Sequence, residues 1–319
     1  MSGKELADVD TNGNHRIVAV IPAYNEERFI GSVVLQARKY ADSVVVVDDG
    51  STDATAEIAR EAGAIVVRHE HNRGKGVTLN TAFEKARELR PDVLVMLGAD
   101  AQHVCAEMPA VVAPVLRGEA DIVVGSRYLR ETNSTPTHRV WGHKAMTLLT
   151  NLASGVPLTD SQSGFRAFSP RAVEAIDFRS DGFSVESEMQ FLARDKDLVI
   201  MEVPITISYD DQPKRNVIRH GLLVLNGVLR LIGQSRPLLF FGVPGLLVLL
   251  VGVAWGVRVV EIYRRSQDLA VGYTLISVLL ATLGSLSLFT GIMLHSMRGM
   301  LLELVRPRVP DGRQPTQGE

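Results

Sequence analysis

The chain has 319 residues, of which 46% are hydrophobic and 22% charged, and its formal net charge is −2. This apolar content excludes a disordered chain, and the single cysteine, Cys105, excludes a disulfide framework or a cysteine-rich zinc module and fits a reducing compartment. The charge is uneven, because residues 1–212 hold 22 Lys and Arg against 31 Asp and Glu, whereas residues 213–319 hold 12 against 5. The two parts are therefore predicted to face different surroundings, and the acidic front part does not suit nucleic acid.

The front part alternates short runs rich in Val and Ile with segments at helical spacing. Residues 1–15 are polar and are predicted to be a loose tail without a secretory signal. Strands are predicted at 17–21, 43–47, 64–67, 93–97 and 121–124, and helices at 26–40, 53–62, 76–90 and 107–117. This alternation predicts that residues 16–212 form an α/β domain with a doubly wound, mostly parallel sheet.

The rear part contains two long stretches without charge, at 237–257 and 269–297. About 20 apolar residues suffice to cross ~30 Å of hydrocarbon, so we expect a transmembrane hairpin with spans at 237–257 and 271–297. A polar turn at 258–268 is expected to join them, and a pair of buried core helices is the alternative.

The arginines that surround the hairpin predict its orientation. Three lie at 217–236 before the hairpin and four after residue 297, against three in the turn, so the positive-inside bias places the front domain and the tail at 298–319 in the cytoplasm. Between domain and hairpin, residues 213–236 are predicted to form an amphipathic helix lying on anionic headgroups, centred on 217–235. We therefore expect a multi-pass protein of the cell membrane.

Polar side chains follow four of the predicted strands. Ligands bind beyond the carboxyl ends of the strands in such sheets, so we expect these side chains at one rim. They are Tyr24 and Glu26, Asp48 and Asp49, Asp100 and Gln102, and Arg127. Repulsion makes a cluster of carboxylates electrostatically costly unless a cation lies among them. A divalent metal ion carrying a diphosphate would suit this cluster. Asp100 and Gln102 offer the oxygen ligands that Mg²⁺ or Mn²⁺ accepts.

Several of these features have simpler interpretations. The Asp49–Asp53 run, Asp-Gly-Ser-Thr-Asp, is also a good turn and helix N-cap. Residues 73–76, Arg-Gly-Lys-Gly, resemble a phosphate-binding loop and make Lys75 a candidate for binding the phosphates of a ligand, although the spacing is not that of a Walker motif. Three histidines, His69, His71 and His103, are predicted to be solvated loop residues. Glu186 and Glu188 lie two apart, so one is expected to reach the site and the other to be solvated.

Five motifs together resemble those of family 2 glycosyltransferases with a GT-A fold. They are Ile-Pro-Ala-Tyr-Asn-Glu at 21–26, Val-Asp-Asp-Gly-Ser-Thr-Asp at 47–53, Asp-Ala-Gln-His at 100–103, Gly-Ser-Arg at 125–127 and Asp-Ser-Gln-Ser-Gly-Phe-Arg at 160–166. Within that family the chain looks most like the dolichol-phosphate mannose synthase group of polyprenyl-phosphate hexose synthases. The resemblance covers residues 17–209.

The resemblance implies roles for individual residues. Pro22, Tyr24, Glu26, Asp48 and Asp49 fall where the family holds the nucleoside, Asp100 and Gln102 where it holds metal and diphosphate, and Arg127 where it grips the acceptor phosphate. Arg139, Lys214 and Arg215 are further acceptor-phosphate candidates by position. Gly98 stands where the family usually has an acidic residue, which leaves the predicted metal site one carboxylate short.

The implied activity is inverting transfer of a hexose from UDP-glucose, UDP-N-acetylglucosamine or GDP-mannose to dolichyl or polyprenyl phosphate, making a lipid-linked sugar for protein glycosylation. The second pKa of a phosphate monoester lies near about 6, so the acceptor is already anionic and no strong base is required. Catalysis would rest on orientation and on charge, with Asp100, Arg127 and Asp160 as catalytic candidates. For Asp160, turn capping is the alternative.

Two other functions remain open for the whole chain. One is a family 2 transferase that uses another membrane acceptor, either a glycolipid or a polysaccharide, and the other is a weakened nucleotide-sugar binder. The expected partners are the nucleotide sugar, the polyprenyl phosphate and the bilayer, and a homo-oligomer is left open.

Overall fold

The computed structural model describes residues 15–129, 137–178, 185–207, 226, 236–267 and 270–305. The chain divides into two compact units, Met1–Leu231 and Ile232–Glu319. Three predicted features lie mainly outside the described residues: the tail at 1–15 apart from His15, the amphipathic helix at 213–236 apart from Asn226 and Arg236, and the end of the rear tail from residue 306.

The first unit alternates strands and helices, as predicted. In chain order the elements are β1 (Ile17–Ala23), α1 (Ile30–Ala37), β2 (Ser43–Asp48), α2 (Thr55–Glu61), β3 (Ile65–Arg68), α3 (Lys75–Leu89), β4 (Val93–Met96), a 3₁₀ turn (Cys105–Glu107), α4 (Met108–Leu116), β5 (Ile122–Ser126), α5 (Thr137–Ser154), β6 (Arg166–Phe168), α6 (Pro170–Ala175), α7 (Val185–Asp195) and β7 (Ile200–Pro204). The helix predicted from residue 26 begins only at Ile30, because Asn25 has a positive φ of 54° and starts a turn. Pro22, Gly125 and Ser126 lie within strands rather than in the loops that follow them.

The seven strands form one mixed sheet in the order β3-β2-β1-β4-β6-β5-β7. Only β6 runs antiparallel to its neighbours, which confirms the mostly parallel, doubly wound sheet. Alternate residues of β1 point into separate cores: Ala19 and Ile21 pack with α1 and α4, and Val18 and Val20 pack with α3 and α7. The carboxyl ends of β1, β2, β4 and β5 therefore open at one edge.

The second unit is a helical hairpin. A π-helical turn, Leu238–Gly242, leads into α8 (Val243–Ser266), and α9 spans Val271–Val305. The prediction of a polar turn over 258–268 was wrong, because α8 continues to Ser266 and ends at Gln267, which has a φ of 57°. An ion pair between Arg258 and Glu261, one helical turn apart, suits that continuation. The rear tail also begins later than predicted, since α9 passes residue 298.

Glycines let the two helices of the hairpin approach closely. A Cβ on Gly245 would lie 2.5 Å from the backbone N of Leu288, and the Ser277 hydroxyl donates to the Gly252 carbonyl oxygen over 2.8 Å. Two spans, Leu238–Ser266 and Val271–Met297, are long and apolar enough to cross a membrane, and only 17% and 11% of their most apolar windows are buried. Buried core helices would show the opposite, so the exposed apolar surface indicates membrane association.

The aromatic cluster beneath the sheet offers a test of the first unit's core. Phe83 is fully buried, with ring centroids 5.1 Å from Phe168 and 5.3 Å from Phe178, both edge-on. We expect Phe83→Ala to lower the free energy of unfolding by about 3–5 kcal/mol, because it leaves a cavity. The exposed Leu35→Ala is the matched control, with an expected change below about 0.5 kcal/mol. Urea denaturation monitored by circular dichroism measures both variants. An equal loss of unfolding free energy in the two would contradict this packing.

Candidate active site

The loops after β1 and β2 are tied into one rim. The Asn25 backbone N–H donates to the Ser51 hydroxyl over 2.9 Å, and the Asn25 side-chain oxygen accepts from the Thr52 N–H over 2.9 Å. The Glu26 N–H likewise donates to the Thr55 hydroxyl at 2.8 Å. Tyr24 stands on this rim with its side chain 37% exposed. The predicted nucleoside residues of the first loop are therefore held against the second loop.

Asp48 is buried at the end of β2, beside an arginine from β3. Its Oδ1 accepts from the Ser51 N–H at 3.0 Å, and its Oδ2 lies 3.1 Å from Arg68 Nε. Arg68 also donates to the Ser51 carbonyl oxygen at 2.8 Å. The Asp48 carboxylate thus lies beside a cation and is held in one orientation.

Asp49, also predicted to hold the nucleoside, has its carboxylate occupied within the chain. It accepts from the backbone N–H groups of Arg73 at 2.9 Å and Gly74 at 3.0 Å, and its Oδ1 lies 2.9 Å from His69 Nδ1. The other nitrogen of His69 lies 3.0 Å from the Thr81 hydroxyl. Asp49 therefore orders the loop before α3, and its assignment to the nucleoside stays a prediction.

The prediction that all three histidines are solvated was wrong for His69, which is buried in this network, and right for His71, which is exposed. The tight packing of the loops explains the difference. Gly50 has a φ of 71°, and a Cβ there would lie 2.5 Å from the backbone C of His71. Only glycine permits this approach, which carries His69 inward.

Lys75, the first residue of α3, forms an ion pair with Glu186 of α7. Both Glu186 and Glu188 are buried, so the prediction that one of them is solvated was wrong. They lie in the first turn of α7, where the helix dipole favours carboxylates, and that turn is buried. Lys75 supplies the opposite charge beside the buried Glu186 carboxylate.

The turn after β4 carries the predicted metal ligands. Ala101 adopts a positive φ of 57°, and the Gln102 N–H donates to Asp100 Oδ1 at 3.2 Å. Among the described residues, no cation pairs with Asp100 and the Gln102 amide group makes no hydrogen bond. One carboxylate and one amide in this turn therefore remain available to a ligand.

His103, in the same turn, is half-buried and so less exposed than the predicted solvated histidine. Its Nδ1 accepts from the Gly98 N–H at 2.9 Å, and its ring lies 5.2 Å from that of Phe165. Burial lowers the pKa of His103 to about 4, against the smaller opposing effect of Asp100. The imidazole is therefore neutral near neutral pH.

The strongest interaction in the site joins β5 to the loop that precedes β6. Asp160 is completely buried, and its two oxygens accept from Nε and Nη2 of Arg127, each at 2.6 Å, as well as from the Arg127 backbone N–H at 3.1 Å. Burial raises the pKa of Asp160, but the hydrogen bonds and charge of Arg127 outweigh it, and the net pKa lies below the ordinary value. The pair is thus a bidentate ion pair.

Two further side chains hold the Asp160 loop in place. Glu202 of β7 accepts from the backbone N–H of Thr159 at 2.8 Å and of Asp160 at 3.0 Å. Arg166, fully buried, donates to the carbonyl oxygens of residues 161 and 163, and burial lowers its pKa to about 10. Sequence reasoning assigned neither a role: Arg166 stood in a quoted motif, whereas nothing in the sequence distinguished Glu202.

The acceptor-phosphate candidates are only partly described. Arg139 lies in α5, and Lys214 and Arg215 lie outside the described residues. On the same side, the Tyr128 hydroxyl lies 2.9 Å from Nδ1 of His143, another α5 residue that the sequence did not single out. α5 thus connects with the segment that follows Arg127.

The separate loops meet around His103. The charges that act on it include those of Asp100, Lys75, Arg127 and Asp160. A Cβ on Gly164 would lie 3.7 Å from the His103 ring and 4.0 Å from Glu186 Oε1. Two buried acids here are paired with cations, whereas Asp100 is not. Such an arrangement can hold an anionic ligand together with a metal ion.

The Arg127–Asp160 pair predicts a pH-dependent stability. Because the folded-state pKa of Asp160 is depressed, the stability it contributes is present above its unfolded value near about 4 and is lost as pH falls through the folded value. We expect Asp160→Asn to cost about 3–5 kcal/mol of unfolding free energy at pH 7, and the difference from wild type to shrink toward pH 3.

The control for that measurement is Glu119→Gln, which breaks an exposed pair with Arg117 and should change stability little at either pH. Denaturant unfolding at several pH values measures both variants. A difference for Asp160→Asn that did not vary with pH would show that the carboxylate is not ionised in the fold.

Comparison with known proteins bears on this geometry. The model of the family described as glycosyl transferase family 2 matches residues 18–177. The UDP-N-acetylglucosamine–dolichyl-phosphate N-acetylglucosaminyltransferase of Methanococcus voltae is 35% identical over 218 residues, which cover 61% of this chain and 86% of that protein. An undecaprenyl-phosphate mannosyltransferase of Micrococcus luteus is 32% identical over 206 residues, covering 60% and 83%.

A solved structure resembles the fold. Glucosyl-3-phosphoglycerate synthase from Mycobacterium tuberculosis, in complex with Mn²⁺, UDP and glucosyl-3-phosphoglycerate, superposes with a TM-score of 0.56 at 24% identity, covering 70% of this chain and 82% of that one. This likeness confirms the GT-A fold. With the family match and the polyprenyl-phosphate relatives, it follows that the chain belongs to glycosyl transferase family 2, in the group of dolichol-phosphate sugar synthases, and is a glycosyltransferase.

Proposed function

We propose that the chain transfers a hexose, with inversion, from a nucleotide-diphosphate sugar to a dolichyl or other polyprenyl phosphate. The observation that carries the proposal is the turn of Asp100 and Gln102, whose ligating groups remain available beside the His103 ring, in a site whose cations Lys75 and Arg127 are already held by buried acids. Relatives named for dolichyl-phosphate and undecaprenyl-phosphate transfer support the acceptor class.

The donor's nucleoside is assigned to the rim formed by the first two loops. Tyr24 offers an exposed ring for the base, and Pro22 and Glu26 flank it on a backbone that is already fixed. Asp48 sits with Arg68 at the end of β2, where the two together offer both an acceptor and donors to a base or ribose. Asp49 acts on the donor through the loop that it orders, at whose end Lys75 begins α3.

A divalent cation fits the residues after β4 only in part. Among the described residues there is no group of three His, Cys, Asp or Glu side chains that could hold a metal ion. Asp100 and Gln102 supply two oxygen ligands without competing partners, and the donor's phosphates would supply others, as Mg²⁺ and Mn²⁺ allow. Bound there, either ion would neutralise charge on the departing diphosphate. Solved structures of the fold that contain Mn²⁺ or Mg²⁺ with UDP support this cofactor.

The acceptor phosphate brings its own negative charge, so the chain has to bind and orient it rather than deprotonate it. Arg127 is assigned to this phosphate, with Arg139, Lys214 and Arg215 as additional contacts. Asp160 holds the Arg127 guanidinium through two bonds, so the cation needs no reorganisation when the phosphate arrives. Asp160 is ionised and buried, which excludes it as a proton donor near neutral pH.

The membrane hairpin suits a lipid acceptor, whose phosphate lies at headgroup level. We assign the catalytic unit to the cytoplasmic side, on the strength of the arginines that flank the hairpin, and residues 213–236 to the membrane interface. The product would be a lipid-linked sugar for protein glycosylation.

The activity is tested directly with labelled donors. Purified full-length protein is incubated with UDP-glucose, UDP-N-acetylglucosamine or GDP-mannose, each with polyprenyl phosphate or, separately, with diacylglycerol, in detergent or vesicles. We expect labelled lipid from one donor, detected after solvent extraction. No labelled lipid from any donor would refute the proposal, and transfer to a diacylglycerol acceptor alone would favour a glycolipid synthase.

The metal assignment is tested by chelation and by one substitution. We expect EDTA to abolish transfer and Mg²⁺ or Mn²⁺ to restore it, and Asp100→Ala to lower kcat at least 100-fold, because the only carboxylate of the turn is lost. Asp195→Ala, which removes an exposed carboxylate on α7, is the control and should leave the rate unchanged. Full turnover of Asp100→Ala would show that the metal lies elsewhere.

A further inference from the structure

One side chain at the centre of the site has no part in the reaction as proposed so far. His103 follows Gln102 in the turn after β4 and packs on Phe165. A Cβ on Gly98 would lie 3.4 Å from this ring and 3.0 Å from Asp100 Oδ1, and a Cβ on Gly164 would lie 3.7 Å from the ring and 4.0 Å from Oε1 of Glu186, the partner of Lys75. A half-buried imidazole in this position costs desolvation, so its polar atoms need partners.

The hydrogen bond from Gly98 determines which ring nitrogen carries the proton. The Gly98 N–H donates to Nδ1 over 2.9 Å, so Nδ1 is the acceptor and the neutral ring carries its hydrogen on Nε2. Nowhere in the described part of the chain does a group accept a hydrogen bond from Nε2. The ring therefore presents one fixed N–H donor whose acceptor the described residues do not provide.

This tautomer also excludes a simpler role for His103. A metal ligand must offer a lone pair, but the lone pair of Nδ1 is used by Gly98 and Nε2 carries a hydrogen. His103 thus does not replace the carboxylate that Gly98 lacks. A donor in this position calls for an acceptor oxygen.

The surrounding charges indicate an anionic acceptor. Lys75 pairs with Glu186, whose Oε1 lies beside the same Gly164 as the ring, and this cation would stabilise a phosphate oxygen there. The adjacent Asp100 and Gln102 are assigned to a metal ion that carries the donor's diphosphate. We propose that His103 donates its Nε2–H to an oxygen of the second phosphate of the donor's diphosphate, the one that carries the sugar, which makes it a further catalytic residue. The inference rests on the proposed function.

A pair of substitutions separates this role from bracing of the turn. In His103→Asn the amide oxygen can still accept from the Gly98 N–H, but the donor at the Nε2 position is lost. In His103→Gln the longer side chain can return a donor near the Nε2 position, but the acceptor beside Gly98 is lost. A ligand contact and a purely structural contact therefore rank the two variants in opposite order.

Calorimetry on the full-length protein in detergent, with and without Mg²⁺, measures the binding of UDP and GDP and of the matching monophosphates. For the preferred nucleoside we expect His103→Asn to weaken diphosphate binding about 10-fold or more, as is usual for one hydrogen bond to a charged group. His103→Gln should stay within about 3-fold of wild type. Binding of the monophosphate should be the same in all three proteins, because it lacks the second phosphate.

The remaining outcomes contradict the inference in distinguishable ways. Wild-type diphosphate affinity in His103→Asn with a loss in His103→Gln would show that His103 only supports the turn, through its hydrogen bond from the Gly98 N–H. An equal loss for the monophosphate would remove the second phosphate as its partner, and a loss confined to a prenyl phosphate titration would assign it to the acceptor. If the wild type binds neither UDP nor GDP, the proposed function fails first, before either variant is compared.

Discussion

The site depends on one buried ion pair, between Arg127 at the end of β5 and Asp160 in the loop before β6. Two 2.6 Å hydrogen bonds join side chains that are 33 residues apart, and each charge would be costly to bury without the other. Glu202 and Arg166 then fix the loop from its other sides. The same design recurs at Lys75 and Glu186, so the cations of the site are oriented before any ligand binds.

Much of the first unit could be predicted from the sequence, because its strands are continuous Val and Ile runs and its helices are amphipathic. β6 and β7 escaped prediction for a physical reason. β6 has three residues, one of them a buried arginine, and β7 carries Glu202, so neither shows an apolar pattern. The end of α8 was also predicted wrongly, because the arginines of its last turns fit a polar turn as well as they fit a helix.

The candidate site shows the same division. Motif positions predicted which residues gather at the rim, but not which side chains are already occupied. Asp49 accepts hydrogen bonds from its own loop, and of the histidines expected in solvent His69 is buried and His103 is half-buried. These outcomes depend on contacts between loops far apart in the chain, such as the approach of Gly50 to His71, and no local pattern records them.

The length of α8 has a consequence for how the hairpin sits in a bilayer. The nine residues from Arg258 to Ser266 add about 13 Å of helix beyond the uncharged stretch, at about 1.5 Å per residue. The headgroup layer on one side of a bilayer is only about 5–8 Å deep. With the uncharged stretch taken to span the hydrocarbon, the far end of the hairpin would reach past the headgroups into water, with Arg264 and Arg265 at its tip. Moving such charged ends into the hydrocarbon would be costly, so they would limit how far the hairpin can shift across the bilayer.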